Sequence, residues 1–227
     1  MVNSKRKPRS LNCRGLLFDL DGVLIDSSSN IERHWRNWGA RHNLDVSNIM
    51  QIAHGVRTVE TMRRVAAHLD AEAEAARFPA AEVVDTNGVV LISGAKELLG
   101  SLPGEAWAIV TSAGRDLAPA RLRAVDLPVP EVLVTADDVR QGKPSPEPYL
   151  LGAQRLDQPP AECVVIEDSP AGIQAARAAG IRVVGIASTH TTDELEGCDL
   201  VVARLADLHV TLNREAGPGL QIWGREL

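Results

Sequence analysis

Asp19 and Asp21 stand two residues apart in Phe18-Asp19-Leu20-Asp21-Gly22, directly after the apolar run Leu16-Leu17-Phe18. Carboxylates this close repel each other, so the pair needs a cation, separate protonation states, or both. Gly22 lets the backbone turn sharply and approach an anion. A helix cap or a calcium-type loop would use the same residues, and the pair alone does not decide between these readings. Glu167 and Asp168 close a second aliphatic run. With Asp19 they make an oxygen-only donor set, which suits a hard cation such as Mg²⁺ that keeps several of its waters. Thr111 and Ser112 end a third run and lead into a helical stretch, where hydroxyls and unpaired backbone N–H groups can cradle a phosphate; a plain helix N-cap is the alternative there. Lys143 sits in Gln141-Gly142-Lys143-Pro144. The chain has 20 Arg and 4 Lys, and two of the lysines lie within the first seven residues. Beyond that start only Lys96 and Lys143 remain, which points to a place where a compact ammonium is needed rather than a broad guanidinium. Competing motifs fail: Pro144 follows Gly142-Lys143 where a P-loop has Ser or Thr, and Val110 stands where a nucleophile elbow around Ser112 needs Gly.

These residues need a frame that brings them together. Short aliphatic runs at Cys13–Phe18, Ala106–Thr111, Glu131–Thr135, Cys163–Glu167, Arg182–Ala187 and Leu200–Val202 lack polar alternation, so they predict strands buried on both faces. Helical stretches at Leu117–Val125, Glu147–Arg155 and Ala171–Ala179 separate the later ones, the last with Ser169 as N-cap, Pro170 at the first helical position and Gly180 beyond the end. Alternating strand and helix predicts an α/β fold, a Rossmann-like doubly wound parallel sheet whose ligands bind at the carboxyl ends of the strands.

About 80 residues between Asp26 and Trp107 exceed the dozen or so a crossover needs, so an inserted domain is expected there. Ser27, Ser28 and Ser29 precede a helix, Ser29 and Glu32 have capping-box spacing, and Ile31, Trp35, Trp38 and His42 share one stripe. Thr58–Leu69 and Ala71–Arg77 predict further helices, the second ending at Pro79. The expected division is a basic, flexible tail over 1–13, a core over 14–27 and 93–227, and a small all-helical cap over 28–92, with Trp35 and Trp38 as core residues of the cap.

Composition sets the outer limits. Of 227 residues, 44% are apolar and 24% charged, as in a globular protein. The first 14 residues carry five cations and no acid, leaving the remainder with 19 cations against 30 acids. So acidic a body does not suit nucleic acid. No apolar run approaches the roughly 18 residues of a membrane span, and the basic start leads into Leu16-Leu17-Phe18-Asp19 rather than a signal-peptide hydrophobic region. A cytoplasmic monomer with no membrane or nucleic-acid partner is expected. Cys13, Cys163 and Cys198 are odd in number and contain no CxxC, so they read as reduced structural thiols.

Taken in order, Phe18-Asp19-Leu20-Asp21-Gly22-Val23-Leu24-Ile25-Asp26-Ser27, Val110-Thr111-Ser112, Gly142-Lys143-Pro144-Ser145-Pro146-Glu147-Pro148-Tyr149 and Ile166-Glu167-Asp168-Ser169-Pro170-Ala171-Gly172-Ile173 resemble the four motifs of the haloacid dehalogenase superfamily. The helical insert resembles that superfamily's C1-type cap. His34-Trp35-Arg36, His54-Gly55-Val56-Arg57-Thr58, Ser112-Ala113-Gly114-Arg115-Asp116 and Thr135-Ala136-Asp137-Asp138-Val139 resemble its glycerol-phosphate and sugar-phosphate phosphatases.

The resemblance implies Mg²⁺-dependent hydrolysis of a small phosphorylated metabolite through an aspartyl-phosphate. It makes Asp19 the nucleophile and Asp21 the acid and base. Lys143 becomes the charge partner of the phosphoryl group, and Gly22, Thr111 and Ser112 become phosphate-binding. It assigns the metal to Asp19, the Asp21 carbonyl and Asp168, with Glu167 behind them, and gives His54, Gly55 and Arg57 of the cap to the substrate. Ile31 occupies the position where the β-phosphoglucomutase branch carries a catalytic His, which argues against the alternative of a phosphomutase. A catalytically silent binding protein on this fold would not need all four motif acids and the lysine.

Overall fold

Segments with no polar face must be covered on both sides, and that requirement shapes the molecule. The computed structural model describes residues 10–213 and 219–227; Lys5, Arg6, Lys7 and Arg9 of the basic start lie outside them. The chain begins with β1 (Ser10–Cys13), β2 (Gly15–Phe18) and β3 (Ile25–Asp26). The helices α1 (Ser28–His42), α2 (Val46–Ala53), α3 (Thr58–Val65) and α4 (Ala71–Val84) follow. Then come β4 (Val90–Leu91), α5 (Ala95–Gly100), β5 (Trp107–Val110), α6 (Leu117–Ala124), β6 (Leu133–Val134), α7 (Glu147–Arg155) and β7 (Cys163–Glu167). The last elements are α8 (Pro170–Ala178), β8 (Arg182–Ile186), β9 (Leu200–Val202), β10 (Leu208–Asn213) and β11 (Gly219–Gly224).

Six strands form one parallel sheet in the order β6-β5-β2-β7-β8-β9. Alternate side chains of each strand enter different layers: Leu16 and Phe18 join one apolar cluster, and Leu17 joins the other. On β7, Val164 and Ile166 go one way and Cys163 and Val165 the other. The chain winds outward from β2 through β5 to β6, then returns to β7 on the opposite side. β2 is therefore the switch point, where open α/β sheets bind ligands. The central pairing sets Phe18 opposite both Ile109 and Ile166, so the segments after β5, β2 and β7 leave the sheet side by side.

The insert is helical and enters and leaves through β3 and β4, which pair antiparallel with Ile25 opposite Leu91. Trp35, Trp38, Ile49, Met62 and Phe78 form its own apolar cluster. Three local expectations are corrected. Ser29 and Glu32 make no capping box; the Ser29 hydroxyl donates instead to the Gly88 carbonyl (3.2 Å), and the preceding Ser27 turns its hydroxyl to Asp21. The α3 helix stops at Val65, and Ala66 leaves the helical conformation (φ −143°). The α4 helix runs through Pro79 to Val84, started by the Asp70 carboxylate, which accepts from the Ala73 N–H (3.0 Å). Proline removes one helical N–H, but the helix beyond it is held from outside by the ion pair of Glu82 with Arg121.

Residues 10–13, read from the sequence as the end of a tail, are a strand. β1 pairs with β11 and β11 with β10 in a separate antiparallel sheet. Leu11, Leu208, Leu220 and Ile222 fasten this sheet to the main core. All three cysteines are free thiols. No helix among the described residues is long and apolar enough to cross a membrane.

Candidate active site

β2 delivers Asp19 directly beyond its last paired residue, and the Asp19 N–H still donates to the Ile166 carbonyl (3.0 Å). The chain then turns tightly: Gly22 N–H donates to the Ile25 carbonyl, and Leu24 N–H to that of Leu20. Gly22 sits at φ +87°, and a Cβ there would lie 2.0 Å from Asp168 Oδ2, so only glycine lets the two motifs approach this closely. One cavity is bordered by Asp19, Asp21, Gly22, Thr111, Ser112 and Asp168 on the core side, and by His54 and Gly55 on the cap side.

Lys143 lies behind this cavity, fully buried. Its ammonium donates to Asp19 Oδ1 (2.6 Å) and Glu167 Oε1 (2.8 Å) and stands 5.0 Å from the centre of the Tyr149 ring. Burial alone would lower the lysine pKa, but the two carboxylates hold it well above its ordinary value. Burial pushes Asp19 up to about 7 against the opposing pull of Lys143. Asp19 Oδ2 accepts no hydrogen bond from the described residues, so one oxygen is fixed by the lysine and the other is available to a ligand.

Glu167 is used up by the protein. Oε1 takes Lys143 and the Tyr149 hydroxyl (2.9 Å); Oε2 takes the N–H groups of Asp168 and Ser169 (2.8 Å each) and the Ser169 hydroxyl (3.0 Å). These donors outweigh burial and lower its pKa. Burial and the neighbouring Glu167 and Asp19 charges hold Asp168 well above the carboxylate range. Ligand oxygens of Asp19, Glu167 and Asp168 lie within 4.8 Å of one another. Three buried carboxylates facing one ammonium leave an excess of negative charge, and oxygen donors alone fit a hard divalent cation. With both Glu167 oxygens occupied, Asp19 and Asp168 are the carboxylates able to face such an ion.

Not every expectation is met. Arg57 does not border the cavity. Its guanidinium donates to the carbonyls of Val139 (3.1 Å), Arg140 (2.9 Å) and Ala136 (3.4 Å), and to Glu60 Oε1 (2.5 Å). Arg57 precedes the first turn of α3, which sets Glu60 beside it at i,i+3, while the core loop over 136–140 presents carbonyls that need donors. Ser112, expected to meet phosphate, does border the cavity, and its hydroxyl donates to the Gly55 carbonyl of the insert (2.8 Å).

Several side chains at the site were not anticipated. Asp21 Oδ1 accepts from Ser27 Oγ (2.5 Å) and Arg121 Nη1 (2.9 Å), and Arg121 Nη2 reaches Glu82 Oε1 (3.0 Å). Burial pushes Glu82 up to about 7. The loop after β8 adds Ser188, whose hydroxyl donates to the Gly22 carbonyl (2.7 Å), Thr189, bonded to Asp168, and His190, whose ring crosses that of His54 at 5.6 Å. One signal was available: Ser188-Thr189-His190 directly follow an aliphatic strand, at the sheet edge that also carries Asp19 and Asp168.

The site is a buried carboxylate-and-lysine centre at the switch point of a doubly wound sheet, in a cavity that the inserted helices also border. A family model described as haloacid dehalogenase-like hydrolase matches residues 13–180. Hexitol phosphatase A from Escherichia coli (strain K12) is 42% identical over an alignment of 206 residues that covers 88% of this chain and 95% of the relative. Glycerol-1-phosphate phosphohydrolase 1 from Saccharomyces cerevisiae is 37% identical over 90% of this chain and 87% of its own length. A hydrolase of known structure from Pseudomonas syringae superposes with a TM-score of 0.75 at 29% identity, covering 86% of this chain and 95% of that one. The chain belongs to the haloacid dehalogenase-like hydrolases.

Proposed function

We propose that the protein hydrolyses small sugar or polyol monophosphates through an aspartyl-phosphate. The observation that carries this reading is the 2.6 Å contact of Lys143 with Asp19 Oδ1, which leaves Asp19 Oδ2 without a partner among the described residues while Asp19 and Asp21 both border the cavity. The similarity to hexitol and glycerol phosphatases supports the substrate class. Asp19 Oδ2 attacks phosphorus while Asp21 gives a proton to the departing alkoxide, so the alcohol leaves neutral. Asp21 then takes a proton from the water that attacks the phosphorus, which frees Asp19 and releases phosphate. Lys143 and the N–H groups after Thr111 offset the charge on the transferring phosphoryl group. Asp19, Asp168 and the Asp21 carbonyl would hold Mg²⁺, which when bound supplies charge neutralisation and orientation of the phosphoryl oxygens. The four helices over 28–84 act as a cap that excludes water from these charges.

Ile31 borders the cavity at the position where the β-phosphoglucomutase branch carries a catalytic His, which favours hydrolysis over a mutase. The three free cysteines agree with a reducing, cytoplasmic setting. Phosphate release from a panel of phosphorylated metabolites, with Mg²⁺ and with a chelator, tests the reading. Turnover on sugar or polyol phosphates that the chelator abolishes is expected. Asp19→Asn is expected to stay folded and silent, and more than trace turnover in that variant overturns Asp19 as nucleophile.

A further inference from the structure

The mechanism above uses Asp19, Asp21, Lys143 and Asp168, and leaves two buried charged residues on the same cavity without a task. Arg121 belongs to the core helix α6 and Glu82 to the cap helix α4; both border the cavity, and they are only 3% and 4% exposed. Resting on the phosphatase reading, we propose that Glu82 and Arg121 form the leaving-group end of the pocket, a subsite that reads the hydroxyls of a neutral sugar or polyol and repels a second anionic group on the substrate.

The placement follows from Asp21. The group that protonates the departing alkoxide must touch the ester oxygen, and Arg121 Nη1 is 2.9 Å from Asp21 Oδ1. The first carbons of the leaving alcohol therefore come to lie beside the guanidinium, and Glu82, 3.0 Å from Nη2, stands one group further on. Arg121 Nε is buried and has no hydrogen-bond partner among the described residues. A buried N–H of this kind is rare without an acceptor. Glu82 accepts from no other described residue than Arg121. One unspent donor next to a carboxylate with acceptor capacity matches a hydroxyl, which accepts from the first and donates to the second. Ile31, Trp35 and Phe78 complete this end of the cavity with apolar surface suited to a carbon chain.

Charge gives the second half of the inference. Arg121 already faces two carboxylates, Asp21 and Glu82, so this end of the pocket holds no spare positive charge. Where Glu82 is ionised, above pH about 7, a phosphate or carboxylate on the leaving group would meet its charge with no cation to offset it, a repulsive device against the wrong substrate. The cation that Asp19 and Asp168 would hold serves the transferred phosphoryl group at the other end.

The test compares kcat/KM of the unmutated protein, Glu82→Gln and Glu82→Asp on glycerol phosphate, a sugar bisphosphate and p-nitrophenyl phosphate, all with Mg²⁺. In Glu82→Gln the ratio of glycerol phosphate to p-nitrophenyl phosphate is expected to fall about tenfold or more, the usual effect of losing a hydrogen bond to a charged group. The ratio of the bisphosphate to p-nitrophenyl phosphate is expected to rise. Glu82→Asp, which keeps the charge but draws it back, should lose the first preference and keep the second. If the three substrates move in parallel, or none moves, Glu82 only ties cap to core and the subsite is wrong. If Glu82→Gln fails to fold, Glu82→Asp alone decides, since parallel behaviour there is equally fatal. An unmutated protein silent on all three substrates overturns the phosphatase reading itself.

Discussion

At the scale of single residues the centre depends on one ammonium. Lys143 touches Asp19 and Glu167 at once, and among the described residues no other cation contacts either carboxylate. Removing one partner of a buried pair leaves an uncompensated charge and costs about 3–5 kcal/mol. Lys143→Met is therefore expected to lose stability of that order in denaturant unfolding as well as turnover. Lys143→Arg keeps the charge but places a planar fork where a tetrahedral ammonium fits between two carboxylates and a ring, and is expected to lose at least about a hundredfold in kcat/KM. Near-normal turnover in the arginine variant would reduce Lys143 to a structural cation. The sequence already pointed here, because a chain that otherwise uses arginine kept a lysine in a loop. Arg121 gave no such signal: one arginine among twenty, it is distinguished only by the neighbours that folding brings to it.

At the scale of elements, what was legible depended on how much of an element's environment its own residues specify. β2, β5 and β7 are buried on both faces, so their composition alone marks them. β10 and β11 are half-buried, and their alternation of Leu208, Val210 and Leu212, and of Leu220 and Ile222, was the sign that strands continue past β9. The sequence alone ends α4 at Pro79, because what supports its last turn, the Glu82–Arg121 pair, is a tertiary contact. The turn after β6 is held by local chemistry. Asp138 accepts from the Thr135 N–H (2.9 Å) and hydroxyl (2.7 Å) and from Arg155 (2.9 Å). Burial would raise its pKa, but these bonds hold it at about 2. A depressed pKa contributes stability above the ordinary carboxylate value, which is lost as pH falls through the folded one. Asp138→Asn is accordingly expected to cost about 1–2 kcal/mol at pH 7, with the gap to the unmutated protein narrowing below pH about 4 and closing only below pH about 2. Urea unfolding of both proteins across that range checks it; a gap constant with pH would show that the carboxylate charge is not what holds the turn.

At the scale of the whole molecule, cap and core meet through two guanidiniums of opposite placement. Arg121 reaches from the core to Glu82 of the cap at the cavity; Arg57 reaches from the cap to the core carbonyls of Ala136, Val139 and Arg140, outside it. Its partner Glu60 also accepts the Gly142 N–H (3.1 Å), next to Lys143, so this clasp ties the cap to the loop that carries the ammonium. Gly55 lets the same cap loop lie flat on the core: it has φ +70°, and a Cβ there would stand 2.4 Å from Ser169 Oγ. A contact that favours the closed arrangement without touching substrate scales every substrate alike, because it changes only the fraction of molecules competent to react. Arg57→Ala is therefore expected to lower kcat/KM about tenfold on sugar, polyol and aryl phosphates in the same proportion, in contrast to the selective effect argued for Glu82. Kinetics across the three classes separate the two roles. A loss confined to sugar and polyol phosphates would place Arg57 on the substrate after all, and no loss on any class would show that the closed arrangement does not depend on this clasp.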